Sequence, residues 1–212
     1  MKLGLISDIH GDPVSLELAW AHLTVLKADR IVCAGDLVGY GPFPDRVAAF
    51  LAEHAIDSVR GNHDRWALER GPGRADEFGG ATPSDATLDF LGRLPAHRLV
   101  ADRGRVGVVV HGSPRSDMEY VTPWSHPPDV LRSLLRELQA DFLVVGHTHM
   151  PMWFRCAQGM VVNPGSVVSK PFVNTSHTFA LLDLAEQAVT FHDVETGAEV
   201  EVEPWSEDDP GT

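Results

Sequence analysis

Between Leu3 and Val59 the chain alternates short apolar runs with segments of helical spacing, and that order admits few folds. Leu3–Ile6 reads as a buried strand. Val14, Leu18, Leu23 and Leu26 then recur at helical spacing, with Pro13 in the first turn, where its missing N–H costs nothing. Arg30–Ala34 reads as a second strand, Val47–Glu53 as a short helix and Ile56–Val59 as a third strand. Strands joined through helices pair in parallel, so a parallel sheet is expected here. The middle is less regular. Gly71–Asp76 reads as a loop, Pro83–Leu94 as a helix with Thr82 or Ser84 near its start, and Leu99–Asp102 with Val106–Val110 as a hairpin about Gly104. Ser113–Pro128 is a proline-rich loop, Asp129–Gln139 a helix capped by Asp129, and Phe142–Val145 a further buried strand. Hairpins follow: Met152–Cys156 with Met160–Val162, then Thr178–Leu184 with Ala188–Val194, and a last strand near Val200. The first half is therefore α/β and the last third mostly antiparallel β. Two sheets packed face to face, with helices outside, satisfy both. At 212 residues the chain fits one domain, 1–204, with a frayed polar tail at 205–212.

The formal net charge is −13, which opposes binding to a nucleic-acid polymer, since that needs Lys and Arg to displace counterions. A small phosphorylated substrate fits better than a long duplex. The N-terminal apolar run is too short for a signal-peptide core, because Asp8 and His10 interrupt it. No stretch approaches the roughly 20 apolar residues of a membrane span, so no membrane association is expected. The two cysteines, Cys33 and Cys156, sit in separate apolar segments and read as buried free thiols. A cytoplasmic protein is the expectation. Nothing in the sequence specifies an oligomeric state.

Candidate ligands of a metal fall in a repeating place. Asp8 and His10 follow the first strand, Asp36 the second, Asn62 and His63 the third, His111 the strand ending at Val110, and His147 and His149 the strand ending at Val145. In open α/β sheets, ligands collect at the carboxyl ends of strands. Five strands thus deliver polar side chains to one edge. In Asp8-x-His10 and His147-x-His149, an extended backbone would point residues i and i+2 the same way. Glycines 11, 35, 61, 112 and 146 stand beside them and permit close backbone approach. One Asp-x-His pair is ordinarily a cap or a solvated loop; five loops repeating the pattern indicate a metal site. Imidazole and carboxylate donors without cysteine suit Mn, Fe, Zn or Ni. Asp36 stands alone on its loop and is assigned as a carboxylate bridging two ions. The other histidines, at positions 22, 54, 97, 126, 177 and 192, read as structural or surface residues.

The segments Asp8-Ile-His10, Gly35-Asp36, Gly61-Asn62-His63-Asp64, His111-Gly112 and Gly146-His147-Thr148-His149 resemble, in order, the five signature blocks of the calcineurin-like metallophosphoesterases. The longer runs Ser7–Gly11 and Asp36–Pro42, with Asn163-Pro164-Gly165-Ser166, look like the small bacterial phosphodiesterase branch. The resemblance implies a four-layer α/β/β/α sandwich with two mixed sheets. It implies two divalent metal ions, Mn first, with Fe, Zn, Ni or Mg as the others. The first ion would take Asp8, His10, Asp36 and His149; the second, Asp36, Asn62, His111 and His147. His63 would be general acid or transition-state donor near the phosphate, Asp64 would orient it, and Asn62 would also hold phosphate oxygens. Asp12 departs from the branch, which often has Asn there, and adds negative charge near the site.

The expected reaction is hydrolysis of small phosphodiesters, nucleotides and cyclic nucleotides among them, by in-line attack of a metal-bridging hydroxide. The other readings are a phosphomonoesterase or protein phosphatase using the same metals, a catalytically silent scaffold of the same fold, and a nuclease. The presence of His63 and all seven ligands opposes the scaffold; the acidic charge opposes the nuclease. Around the mouth of the site, Tyr40, Arg65, Trp66, Arg70, Arg74, Arg115, Tyr120 and Trp124 could contact a base or a phosphate, or could pack loops and carry solvated charge.

Overall fold

The computed structural model describes residues 1–75, 77–169 and 176–205. In chain order its elements are β1 (Lys2–Ile6), α1 (Pro13–Val25), β2 (Arg30–Cys33), α2 (Pro44–Glu53), β3 (Asp57–Ser58), α3 (Asn62–Arg70), α4 (Asp85–Gly92), β4 (His97–Asp102), β5 (Arg105–Val110), α5 (Pro128–Leu138), β6 (Phe142–Val144), β7 (Pro151–Cys156), β8 (Gly159–Pro164), β9 (Thr178–Asp183), β10 (Ala188–Asp193) and β11 (Glu199–Val200). They form two mixed sheets, ordered β11-β10-β9-β1-β2-β3 and β4-β5-β6-β8-β7. In the first sheet β1, β2 and β3 run parallel, and β9 joins antiparallel to β1. In the second, β5, β6 and β8 run parallel, flanked by antiparallel β4 and β7.

Side-chain alternation along the strands sorts the core into three apolar layers. Leu3 and Leu5 of β1, Val32 of β2, Ala180 and Leu182 of β9, Val109 of β5 and Val144 of β6 fill the space between the sheets. The alternate residues Ile6, Cys33, Phe179 and Leu181 face the helical side, against Leu16 and Leu23 of α1, Leu51 of α2, Ala67 of α3 and Leu91 of α4. On the far side, Val108, Val110, Leu143 and Phe154 pack on Leu131, Leu134 and Leu135 of α5. Three apolar layers separate four structural ones, so the chain is the α/β/β/α sandwich with two mixed sheets.

Several boundaries differ from the sequence reading. Helix α3 begins at Asn62, where a turn and loop were expected. Its only apolar residues are Trp66, Ala67 and Leu68, and its N-cap is Gly61, so neither periodicity nor a capping side chain announces it. Asp129 is not the cap of α5; Pro127 is, with Pro128 at the first helical position and Asp129 in the first turn. The third strand shrinks to Asp57–Ser58, and α4 to Asp85–Gly92 behind a Ser84 cap. The last third is less uniformly antiparallel than expected, because β8 pairs in parallel with β6. Trp205 is not frayed: its N–H donates to the Trp153 carbonyl at 2.8 Å. The remainder of the expected tail, and Asp76 of the expected loop, lie outside the described residues. Cys33 is buried and Cys156 only half-buried; both are free thiols.

Candidate metal centre

The parallel strands of both sheets end at the same edge. There Asp8 and His10 leave β1, Asp36 leaves β2, Asn62 and His63 open α3 just after β3, His111 leaves β5, and His147 and His149 follow β6. The structure brings all eight together. The ligand-type atoms of Asp8, His10 and His149 lie within 4.8 Å of one another, as do those of Asp36, His111 and His147, and those of His10, Asp36 and His63.

The local backbone is not the extended one expected of the two x-spaced pairs. Asp8, His10, Asp36, His147 and His149 all have positive φ, between 49° and 67°. A non-glycine residue there is strained by about 1–2 kcal/mol. The convergence comes from these tight turns, and long-range backbone bonds hold them: Asp8 N–H to Gly35 O at 2.9 Å, His10 N–H to Asp36 O at 3.0 Å, and Val168 N–H to Asp8 O at 3.1 Å.

Donor orientation fits divalent cations. Nδ1 of His10 faces the Val38 carbonyl at 3.1 Å, and Nδ1 of His111 faces the Ala34 carbonyl at 2.8 Å. A carbonyl fixes the proton on Nδ1 and leaves the Nε2 lone pair for a cation. Those Nε2 atoms point inward, to His149 Nε2 at 3.0 Å and to Asn62 Oδ1 at 2.9 Å. Two donors bound side by side at about 2.1 Å from one ion would sit roughly 3 Å apart. Asp8 Oδ1 is buried with ion-pair contacts to His149 Nε2 at 3.1 Å and His10 Nε2 at 3.7 Å, and His147 Nε2 is buried without a hydrogen-bond partner. Such an atom is costly unless something binds it. Asp36 Oδ2 faces both groups, at 3.2 Å from His111 Nε2 and 3.8 Å from His10 Nε2.

The electrostatics agree. Burial pushes His10 down to about 4, so its imidazole is neutral at neutral pH, as a ligand would need to be. Burial opposes protonation of His111 too, but the Asp36 carboxylate outweighs it and raises the pKa to about 10. His149 is raised as well, against burial, by Asp8. Asp36 stays well below the carboxylate range despite burial, because of His111. The buried acids thus demand positive charge, and protons supply it on His111 and His149 where a cation does not. Metal uptake should therefore release protons.

Two supporting residues have hydrogen-bond roles beyond those expected. Asp64 is bound to backbone groups. Its carboxylate accepts four backbone N–H groups: Leu37 at 2.9 Å and Val38 at 3.2 Å on one oxygen, Gly61 at 2.9 Å and Asp36 at 3.1 Å on the other. It ties the Asp36 loop to the start of α3. Burial and the adjacent Asp36 carboxylate push its pKa up to about 7, against those donors. An amide cannot accept on its nitrogen, so Asp64→Asn should lower stability by about 2–3 kcal/mol, read by thermal unfolding of the metal-free protein. An unchanged transition would contradict this role. Asp12 is a helix cap: its oxygens accept Ser15 N–H at 3.1 Å, Ser15 Oγ–H at 2.8 Å and Ser169 N–H at 3.0 Å. The start of α1 absorbs its charge.

Residues to which the sequence reading gave no role of their own also brace the candidate ligands. Ser7 Oγ donates to Asp8 Oδ2 at 2.6 Å, Ser166 Oγ donates to the Asp8 carbonyl at 3.0 Å, and Asn163 Nδ2 donates to the Gly146 carbonyl at 2.8 Å. Asn163 and Ser166 lie in the Asn-Pro-Gly-Ser turn, whose spacing was the available signal. Gly146 leaves room for this contact: a Cβ there would overlap Ser7 Oγ and lie 3.0 Å from Asp8 Oδ2. Gly146→Ala should cost about 1–3 kcal/mol and weaken metal binding, measured by unfolding with and without metal. Equal losses in both states would mean that the clash misses the ligands.

Above the donors lies a cavity of about 360 Å³, lined by Asp36, Asn62, His63, His147 and His149 below and by Tyr40, Trp66, Phe78, Met118 and Tyr120 on its walls. Of the mouth residues picked from sequence, Tyr40, Trp66 and Tyr120 line it. Arg65 pairs instead with Asp117 and Glu69, and Arg115 with Glu137. Arg70, Arg74 and Trp124 are not among its lining residues. The six histidines read as structural stay out of the donor groups. No helix among the described residues is long and apolar enough to cross a membrane.

Two sheets aim these eight side chains into one cleft, and comparison with known proteins places the architecture among the phosphoesterases. The chain belongs to the calcineurin-like phosphoesterases: the Calcineurin-like phosphoesterase superfamily domain matches residues 1–187. It is 28% identical over 193 residues to Phosphodiesterase YfcE of Escherichia coli, covering 86% of this chain and 88% of that one. It is 29% identical over 161 residues to the uncharacterized protein MJ0912 of Methanocaldococcus jannaschii; the match takes in 70% of this chain but only 63% of that protein's length. A metallophosphoesterase from Sphaerobacter thermophilus superposes with a TM-score of 0.69 at 26% identity, over 96% of this chain and 89% of its own. The family expected from the five blocks is the family found.

Proposed function

We propose that the chain is a dinuclear metal-dependent phosphodiesterase of small substrates. Asp36 carries this reading: one buried carboxylate oxygen faces histidines of both donor groups. Asp8, His10, Asp36 and His149 would hold one ion; Asp36, Asn62, His111 and His147 would hold the other. Nitrogen and oxygen donors without thiolate suit Mn, with Fe, Zn, Ni or Mg as competitors. When bound, such ions supply Lewis-acid stabilisation of charge on phosphoryl oxygens and activation of water.

The chain's own groups do the rest. Asn62 and His63 occupy the first turn of α3, whose N-terminus favours a phosphate anion. The His63 N–H donates to Asp36 Oδ1 at 2.9 Å, which fixes the residue relative to the donors. Its imidazole, buried at the cavity floor, is placed to donate a hydrogen bond or a proton to the leaving oxygen. The net charge of −13 supports a small substrate over a nucleic-acid polymer, and two unpaired cysteines support the cytoplasm. Rates on bis(p-nitrophenyl) phosphate and p-nitrophenyl phosphate, with Mn and then with a chelator, test the proposal. Metal-dependent turnover that favours the diester is expected. Preference for the monoester would move the reading to a phosphatase, and turnover under chelation would sink it.

A further inference from the structure

The cavity above the donors has candidate ligands, with His63 and Thr148, in its polar lining. Its other lining residues are Tyr40, Trp66, Phe78, Met118 and Tyr120, and no Lys or Arg is among the described residues that line it. Arg65, whose guanidinium carbon lies 5.9 Å from the centroid of the Trp66 ring, is already paired with Asp117 at 2.7 Å and Glu69 at 3.0 Å. On one wall the rings of Trp66 and Phe78 stack, 5.3 Å apart and 19° from parallel, and both reach His63 with centroids at 4.9 Å. Opposite, Tyr120 stacks on His147 at 4.4 Å and 22°, and remains 56% exposed. His147 orients one face of Tyr120, and the rest of the ring is left to the cleft. Phe78 and Met118 are also exposed, at 42% and 40%. Grouped aromatic and apolar side chains exposed beside polar donors mark a surface that a ligand can cover.

From this geometry we infer that the cavity is a stacking subsite for a planar, uncharged aromatic group, such as a nucleobase or aryl ring, carried by the phosphoester. The inference rests on the proposed function and names its substrate class. The volume, about 360 Å³, falls in the range of small-molecule clefts and exceeds what a simple alkyl alcohol needs. Stacking tolerates any ring with a π-face, so the subsite selects planarity before it selects a particular base. The lack of a Lys or Arg among the described lining residues argues against a second anionic group in the same position, because no described cation there would pair with it.

The test is equilibrium binding of phosphonates to the Mn-loaded protein by calorimetry, which needs no turnover. Phenylphosphonate should bind about tenfold or more tightly than methylphosphonate. The p-carboxyphenyl analogue, which adds a charge to the same ring, should bind more weakly than phenylphosphonate. The double variant Trp66→Leu/Tyr120→Leu keeps apolar bulk and should bring the phenyl-to-methyl ratio near one while metal content stays unchanged. Equal affinities in the wild type would overturn the inference, as would a ratio that survives the double variant or tighter binding of the charged ring. If that variant fails to fold, Tyr120→Leu alone should narrow the ratio, and an unchanged ratio again overturns it. A protein that shows the ratio but hydrolyses no phosphoester would refute the proposed function and leave the subsite standing. One that hydrolyses diesters without the ratio would do the reverse.

Discussion

Asp36→Ala should bind no more than one divalent ion per chain and lose turnover to background. The carboxylate is fully buried, its Oδ2 faces His111 and His10, and its Oδ1 accepts the His63 N–H. Removal strips both donor groups of their shared anion and releases the start of α3 from the metal edge. Two effects are then superimposed, so the informative companion is Asp36→Asn. The amide keeps the volume, and its oxygen can still accept from His63, but the charge is gone. Its metal affinity should fall by roughly 10–100-fold or more, with the fold intact by thermal unfolding. His111 should report the same change without activity: Asp36 holds its pKa at about 10, so an NMR titration should show a marked fall in Asp36→Asn. A fully active Asp36→Ala would end the bridging assignment.

The second large effect is expected at His63, with the opposite division between metal and rate. His63→Ala should keep its metal and lose roughly 10²–10⁴-fold in kcat, the usual weight of a proton donor at a leaving group. The geometry makes this a sharp test, because His63 also lies within 4.8 Å of ligand-type atoms of His10 and Asp36. If His63 were a ligand, its removal would lower metal content along with rate. Loss of rate at constant metal separates a donor from a ligand. Loss should also be smaller for aryl esters with good leaving groups, which need less protonation, than for alkyl esters. Equal losses on both would place His63 in charge stabilisation at phosphorus instead.

The site was largely legible because its residues repeat one local relation. Asp8, Asp36, His111 and His147 each follow a short apolar run, and buried strand ends are the places where a sequence announces position most clearly. Alternation did the same for the fold: Leu3 and Leu5 against Ile6, Val32 against Cys33, sort into separate layers as period two requires. What stayed hidden depends on distance. The left-handed turns at Asp8, His10 and Asp36 are held by backbone bonds between loops far apart in the chain, and the His147 N–H reaches across to Asp8 Oδ2. Asp64 beside His63 looked like its partner, and that its carboxylate also serves backbone groups at 36–38 and 61 was not visible. Helix α3 was missed because a metal-edge motif occupies its first turn, where a cap and an apolar stripe would otherwise show. Phe78 and Met118 reach the cavity from loops with no periodicity to read.

The proposed joint action of two ions is tested most directly by titrating metal-free protein with Mn while following both bound metal and diester hydrolysis. Negligible turnover without metal, saturation at two ions per chain, and activity that tracks the second ion are expected. Full activity at one ion per chain, or any substantial turnover with none, would contradict it.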